Sequence, residues 1–187
     1  MRIRLTQHDD LPAILAISNR AAMETVANFA VEPESLEDWQ EMWQTTHEQF
    51  PWFVAETDSE NQDDPGEVVG FAKASPWQGR CAYEYAAEVT VYVKPEYHGI
   101  GLGTELYERL FSTLKKQGYC SAVAMIALPN KASVRLHERF DMQQIGTLRR
   151  IGWKFGAWHD VGIWQSFLVD AGQPPQRVRP VSEVASA

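Results

Sequence analysis

The spacing of apolar residues changes several times along this chain, and each change marks an element. Arg2 to Leu5 alternates and predicts a first strand. Asp9-Asp10 followed by Pro12 is a helix-start signal, after which Ile14, Ile17 and Ala21 fall on one face. Ser35 to Asp38 has the form of a capping box and opens a second helix with Leu36, Trp39 and Trp43 on its apolar side. Trp52 to Glu56 and Val68 to Ser75 read as a hairpin, with the polar stretch Thr57 to Gly66 as a solvated turn. Tyr83 to Val93, rich in Val, Thr and Tyr, predicts a long strand that Lys94-Pro95 ends.

A glycine-rich loop follows, and then leucines at fourfold spacing (Leu102, Leu106, Leu110, Leu114) predict a helix that Gly118 stops. Ala122 to Ala127 is wholly apolar, as a central strand buried on both faces must be. Asn130 caps a short helix to about Arg139, with the usual boundary error of about ±2–4 residues. Strands near Gln143 to Leu148 and Val161 to Val169 close the pattern. The order is strand, two helices, three strands, helix, strand, helix, two strands. It predicts one α/β (α+β) domain over residues 1–170, a mixed sheet with helices on both faces. Residues 171–187 form a Pro-rich tail, surface-bound or disordered.

Composition narrows the classes. At 187 residues the chain can bury a core. A net charge of −8 argues against nucleic-acid and anionic-membrane partners, both of which need a basic surface. No run spans a bilayer, and the start of the chain lacks the apolar core of a signal peptide. Two cysteines, Cys81 and Cys120, make neither a disulfide framework nor a metal site, so a reduced cytoplasmic setting without metal is expected. Of the seven tryptophans, Trp77, Trp153 and Trp158 fall outside the predicted elements, where pockets and interfaces use them.

Gly99, Gly101 and Gly103 alternate between a strand and a helix. Positions without side chains let successive N–H groups share one concavity, and the helix N-terminus adds partial positive charge. One glycine would suffice for a sharp turn; three favour a phosphate site. A dinucleotide loop needs its third glycine one residue later and an acid at the end of the next strand, which here reads Ile126-Ala127-Leu128. A nucleoside-triphosphate loop needs Gly-Lys-Ser/Thr, also missing. Coenzyme A carries a diphosphate that remains compatible.

Val91-Tyr92-Val93 and then His98 to Thr104 (HGIGLGT) resemble the acetyl-CoA motif of the GNAT superfamily of acetyltransferases. The pattern is Gln/Arg-x-x-Gly-x-Gly/Ala, so His98 departs at its first position, a small matter for a cradle made of backbone. Glu88 to Val93, Leu128 to His137 and Gly156 to Gln165 resemble the phosphinothricin acetyltransferases within that superfamily. So do Phe50 to Glu56, Ser75-Pro-Trp77 and the tail Pro174 to Pro180. The resemblance covers nearly the whole chain. It implies splayed central strands in a mostly antiparallel sheet, acetyl-CoA as co-substrate, a slot along Val91 to Val93 for pantetheine, and a homodimer.

Acetyl transfer to an amine needs a base, a polarised carbonyl and a stabilised leaving thiolate. Glu88, on an apolar strand, is the candidate base, its carboxyl pushed towards neutrality by burial; a solvent-facing carboxylate or an ion pair is the plainer alternative. The resemblance favours the base. His137 stands where many GNAT enzymes have a tyrosine, seven residues after Asn130, and is either an acid, a donor to the coenzyme or a core histidine. The resemblance further implies backbone donors at Tyr92 and Val93. Val91, His98, Gly99, Ile100, Gly101, Leu102, Gly103, Thr104, Asn130 and Ser133 would contact the coenzyme. Arg80, Tyr83 and Tyr92, with Trp77 as a wall, would bind the acceptor, of phosphinothricin, methionine sulfoximine or methionine sulfone type. Close relatives carry a basic residue where this chain has Gln78, which leaves the acceptor open. Two other classes remain: acetylation of a protein N-terminus or polyamine, and a non-catalytic acyl-CoA-binding module.

Overall fold

In the computed structural model, residues 1–58, 66–169 and 175–185 are described. Seven strands form one sheet: β1 (Arg2–Leu5), β2 (Trp52–Glu56), β3 (Val68–Pro76), β4 (Ala86–Val93), β5 (Ser121–Leu128), β6 (Gln143–Lys154) and β7 (Ala157–Phe167). Their spatial order is β1-β2-β3-β4-β5-β7-β6, antiparallel throughout except for β4 beside β5. The helices are α1 (Leu11–Glu24), α2 (Leu36–Thr46), α3 (Leu102–Gln117), α4 (Lys131–Glu138) and α5 (Val181–Val184). No helix among the described residues is long and apolar enough to cross a membrane.

Two cores lie on opposite faces of the sheet. On one, Leu11, Ile14 and Ile17 of α1 and Trp39 of α2 pack on Trp52, Val54 and Phe71. Ser18 and Ala22 continue the buried face of α1, while Ala21 turns towards a cavity. On the other face, Leu102, Leu106, Leu110 and Leu114 of α3 are at most 2% exposed and meet Ala72, Ala74, Ala87 and Val89. Ser35 caps α2 by accepting from the Asp38 N–H at 3.2 Å. Arg4 ties β1 to β2 and the entrance of α1 through Asp10 (2.6 Å) and Glu56 (2.8 Å).

Three expectations are corrected, and the surface-bound alternative for the tail is made specific. The long strand begins at Ala86, not Tyr83, because β3 ends at Pro76, paired with Ala87, and leaves Tyr83 no partner strand; Cys81–Tyr83 is a tight 3₁₀ turn instead. The last two strands are far longer than their apolar cores, since Phe155 (φ 50°) and Gly156 (φ 72°) make a two-residue hairpin turn with both φ positive. Trp153 and Trp158 therefore sit opposite each other on strands, their rings 5.3 Å apart, rather than in loops. The tail adds a helix, α5: Val181 and Val184 are buried, and Gln117 Nε2 at the end of α3 donates to the carbonyls of Gln49 and Arg179, each at 2.8 Å. The Arg179 N–H returns a bond to Gln117 O at 2.8 Å. Most of the expected turn at Thr57 to Gly66, and residues 171–174 of the tail, lie outside the described residues.

Deleting residues 175–187 removes this docked segment. We expect a loss of about 3 kcal/mol of stability, from two valines and several hydrogen bonds. Scanning calorimetry should register this as a fall in Tm of roughly 6–12 °C for a chain of this size.

Candidate active site

β4 and β5 pair only at Ala86, Ala87 and Glu88, opposite Ser121, Ala122 and Val123. Beyond Glu88 the two strands separate. Antiparallel ladders alternate, and the Lys94 N–H donates to Val69 O at 2.9 Å, so Thr90 and Tyr92 also turn their backbone groups to β3. Val89, Val91 and Val93 then face the gap with N–H and C=O groups that β5 does not pair. This corrects one expectation: the Tyr92 N–H belongs to the β3 ladder, and Val91 and Val93 carry the donors directed at the gap.

The gap opens into a cavity of about 920 Å³. At one end lies the glycine loop. Gly99 (φ 81°) and Gly101 (φ 93°) are left-handed, a conformation that a side chain would strain, and Gly101 leads directly into α3. Gly103 lies within α3, where an added Cβ would stand 3.3 Å from Leu136 of α4. His98 Nε2 meets the Val93 carbonyl at 2.8 Å, which requires that nitrogen to carry the proton and folds the side chain back onto β4. Val91, Tyr92, Val93, His98, Leu102 and Thr104 line the cavity with Gly99, Gly101 and Gly103; Ile100 is exposed and does not. Asn130 Oδ1 accepts from the Ser133 N–H at 3.1 Å, capping α4 and leaving its NH₂ as the uncommitted end.

His137 is 5% exposed and fully engaged. Its Nδ1 meets Ser133 O at 2.7 Å and is thus the protonated nitrogen; Nε2 then accepts from the Tyr107 hydroxyl at 2.9 Å. Burial holds this imidazole below its ordinary pKa, so it is neutral. Tyr107, itself wholly buried in α3, is driven well above the ordinary phenol value by burial, with nearby Tyr92 and Glu88 adding to the shift. The sequence reading missed Tyr107; the leucine period that predicts α3 shows it only as one more core position.

Side chains of β4 alternate. Glu88, Thr90 and Tyr92 share a face with Phe71, Lys73 and Ser75 of β3, the face covered by α1 and α2. Glu88 is half-buried, and that burial raises its pKa above 4.5 although Lys73 pulls the other way. Tyr92 is pushed up to about 12 by burial and by Glu34 and Glu88, and its hydroxyl donates to Ala27 O at 3.1 Å. Trp77, Arg80 and Tyr83 sit in the segment after β3, beyond the Glu88 end of the strand pair; Arg80 and Tyr83 are exposed, and none of the three lines the cavity within this chain. The wall there is built instead from Lys73, Met42 and the segment between α1 and α2, residues 25–35, through Ala27, Asn28, Phe29 and Glu34.

That segment is held from far away. Lys154 of β6 donates to the carbonyls of Ala22, Asn28 (2.6 Å) and Ala30 (2.7 Å), using all three ammonium protons. Gly152 lies so close under Phe29 that a Cβ there would run into the ring. His159 and Asp160 form no dyad: His159 Nε2 meets Lys154 O at 2.9 Å, and Asp160 accepts from the Arg150 N–H at 2.8 Å, closing the bulge of β6.

A cavity spanning a split sheet, with a glycine loop at a helix N-terminus on one side and a desolvated carboxylate on the other, suits a diphosphate-bearing thioester meeting a nucleophile. Residues 14–142 match the acetyltransferase (GNAT) family. This chain belongs to the GNAT acetyltransferases. It is 40% identical to a phosphinothricin N-acetyltransferase of Streptomyces viridochromogenes, over 98% of this chain and 96% of that one. With an L-methionine sulfoximine/L-methionine sulfone acetyltransferase of Pseudomonas aeruginosa it shares 35% identity over 83% and 88% of the two chains. Its fold superposes on a phosphinothricin acetyltransferase of Sinorhizobium meliloti, solved in complex with acetyl-CoA, with a TM-score of 0.87 at 26% identity, covering 94% of this chain and 92% of that one.

Replacing Lys154 by Met strands three carbonyls without their donor. The expected cost is about 2–4 kcal/mol, read from chemical denaturation. Where the variant remains folded, KM for the acceptor should rise while the dissociation constant of acetyl-CoA, measured by calorimetry, stays put.

Proposed function

We propose that this protein transfers the acetyl group of acetyl-CoA directly to the primary amine of a small amino-acid-like molecule, of the phosphinothricin, methionine sulfoximine or methionine sulfone type. The observation that carries the reading is Glu88, a carboxylate with a raised pKa at the point where β4 leaves β5. Relatives at 40% and 35% identity that bear these substrates in their names support the acceptor class. Residues 1–170 would form the acetyltransferase domain, with 171–187 as the tail.

Bound acetyl-CoA supplies the activated acetyl thioester. The residues that fit it are the backbone of Gly99, Gly101 and Gly103 for the diphosphate, Val91 and Val93 along the gap for pantetheine, and Asn130 and Ser133 at the start of α4. Val91 and Val93 N–H groups are the donors for the thioester oxygen as it gains charge. Glu88 takes the ammonium proton, directly or through a water, and frees the nitrogen lone pair to attack; as the C–S bond breaks, the second proton shed by the nitrogen leaves with the thiolate. The Tyr107 hydroxyl would steady the departing thiolate by turning its one proton from His137 Nε2 to the sulfur. A phenol held above its ordinary value, about 10, does not surrender its proton to a thiolate whose acid has a pKa near 8.5, so Tyr107 hydrogen-bonds the sulfur rather than protonating it. Until then His137, neutral and hydrogen-bonded at both ring nitrogens, holds Tyr107 in place by accepting a hydrogen bond from its hydroxyl. Tyr92 faces the acceptor; Trp77, Arg80 and Tyr83 would approach it from the loop after β3.

We also infer a homodimer, and with it a cytoplasmic setting; only the dimer draws on the surface. β6 is the edge strand of the sheet, and Ile145, Ile151, Trp153, Phe155 and Trp158 are each more than half exposed around it. An Ile151→Glu, Trp158→Glu double variant should sediment as a monomer where the natural chain sediments as a dimer.

Glu88→Gln tests the reaction itself. We expect kcat to fall about 100-fold or more, with acetyl-CoA affinity retained. The natural protein should lose kcat/KM below a pKa lying above 4.5, and the variant should lack that limb. An acid with a raised folded pKa opposes folding once pH rises above its unfolded value, and fully above its folded one. The Gln variant should therefore be at least as stable at pH 7, so that full activity in a well-folded Gln variant would refute Glu88 as base.

A further inference from the structure

The structure holds two lysines withdrawn from solvent, and they are opposites. Lys154 spends its three protons on three carbonyls. Lys73, in the cavity wall, has as its hydrogen-bond partner the thioether of Met42 at 3.0 Å, a weak acceptor. No carboxylate among the described residues lies within ion-pair distance of Lys73. Its ammonium sits 4.6 Å from the Trp52 ring and 5.2 Å from the Trp39 ring, and these two rings meet edge to face. Aromatic faces recover part of the cost of withdrawing a cation from water, but they supply no acceptor for its N–H groups. Burial lowers Lys73 to about 8, with Glu34 and Glu88 opposing the shift, so it is still mostly charged at pH 7.

Position gives this under-paired cation a direction. Lys73 pairs with Thr90 and Ser75 with Glu88, so Lys73 and Glu88 are diagonal neighbours on one face of the sheet. Such neighbours stand about 7–8 Å apart, somewhat less at Cβ, close enough for both side chains to reach the amine and an acid group of one small molecule. The other cations along the cavity are differently placed. Arg20 is paired with Glu24 and Glu96, and Lys94 with Glu67. Arg135 lies in the last turn of α4 and Arg139 caps it, on the helix whose Leu136 packs against Gly103.

Building on the acetyltransferase reading above, we propose that Lys73 is the specificity-determining residue that pairs with an anionic group of the acceptor while Glu88 receives its amine. The anion is a carboxylate or a tetrahedral oxyacid; the chemistry of the pairing is the same for both. No bond is made or broken at Lys73. Its work is to convert a desolvated, poorly satisfied ammonium into a satisfied one when the correct acceptor enters.

The test compares Lys73→Met and Lys73→Gln with the natural protein on three acceptors: methionine sulfone, its carboxamide, and phosphinothricin. The readout is the variant-to-natural ratio of kcat/KM for each acceptor, which cancels differences in amine basicity. Acetyl-CoA affinity and Tm are followed in parallel. We expect a loss of about 10- to 100-fold, mainly in KM, on acceptors that present the anion. Loss on methionine sulfone and phosphinothricin with the carboxamide spared assigns the α-carboxylate. Loss on phosphinothricin alone assigns the oxyacid tail, and either result supports the proposal. Lys73→Arg should recover most of the discrimination. Equal losses on all three acceptors, or no loss, would overturn it. Failure of the natural protein to acetylate any of the three would instead strike the acceptor class proposed above.

Discussion

One strand is required to belong to two structures. β4 must pair with β5 long enough to keep the sheet continuous, and must then leave it, so that its valine backbone groups remain available to a ligand. A strand that stops pairing in the middle of a sheet loses hydrogen bonds that a buried chain cannot forgo. The loss is contained because β3 grips β4 along its whole length, from Pro76 opposite Ala87 to Gly70 opposite Val93. β5 is held in turn by β7 through an unbroken register from Ser121 to Leu128. The gap is thus a planned vacancy between two well-paired ribbons, and α3 starts where it widens.

The split also sorts the chemistry by face. Tyr107 and His137, proposed to serve the sulfur side, come from α3 and α4 on one side of the sheet. Glu88, Lys73 and Tyr92 belong to the other, under α1 and α2. The two sets meet only through the opening between β4 and β5. In the proposed mechanism, a carboxylate that would lift a proton from nitrogen and a phenol that would steady a thiolate are thereby kept from pairing with each other.

Much of this arrangement is legible in the chain because it rests on local signals. The four leucines, the serine cap of α2 and the alternating glycines each act within a turn or two, and the helices and loop they predict are present. Glu88 could be picked out as a charge on an apolar strand. What escaped depends on distance or on partners. The start of β4 is decided by Pro76 on another strand, and the length of the last hairpin by a Phe-Gly turn that a Pro/Gly/Asn/Asp reading underweights. Tyr107 looked like core because it is core; its importance arises from His137, thirty residues away. Lys73 escaped for the same reason, as one charge in a strand whose neighbours, Trp39 and Met42 of α2 and Trp52 of β2, are contributed by two other stretches of sequence.

The clasp of Lys154 on Ala22, Asn28 and Ala30 spans between 124 and 132 residues. Closing so long a loop costs entropy that no local contact refunds beforehand. A chain emerging residue by residue can wind α1 and α2 early, but the segment between them has no anchor until the last strand pair has formed. The pocket wall is consequently among the last parts of the molecule to set. The proposed seat of the acceptor therefore depends on a contact that only the last strand pair can supply.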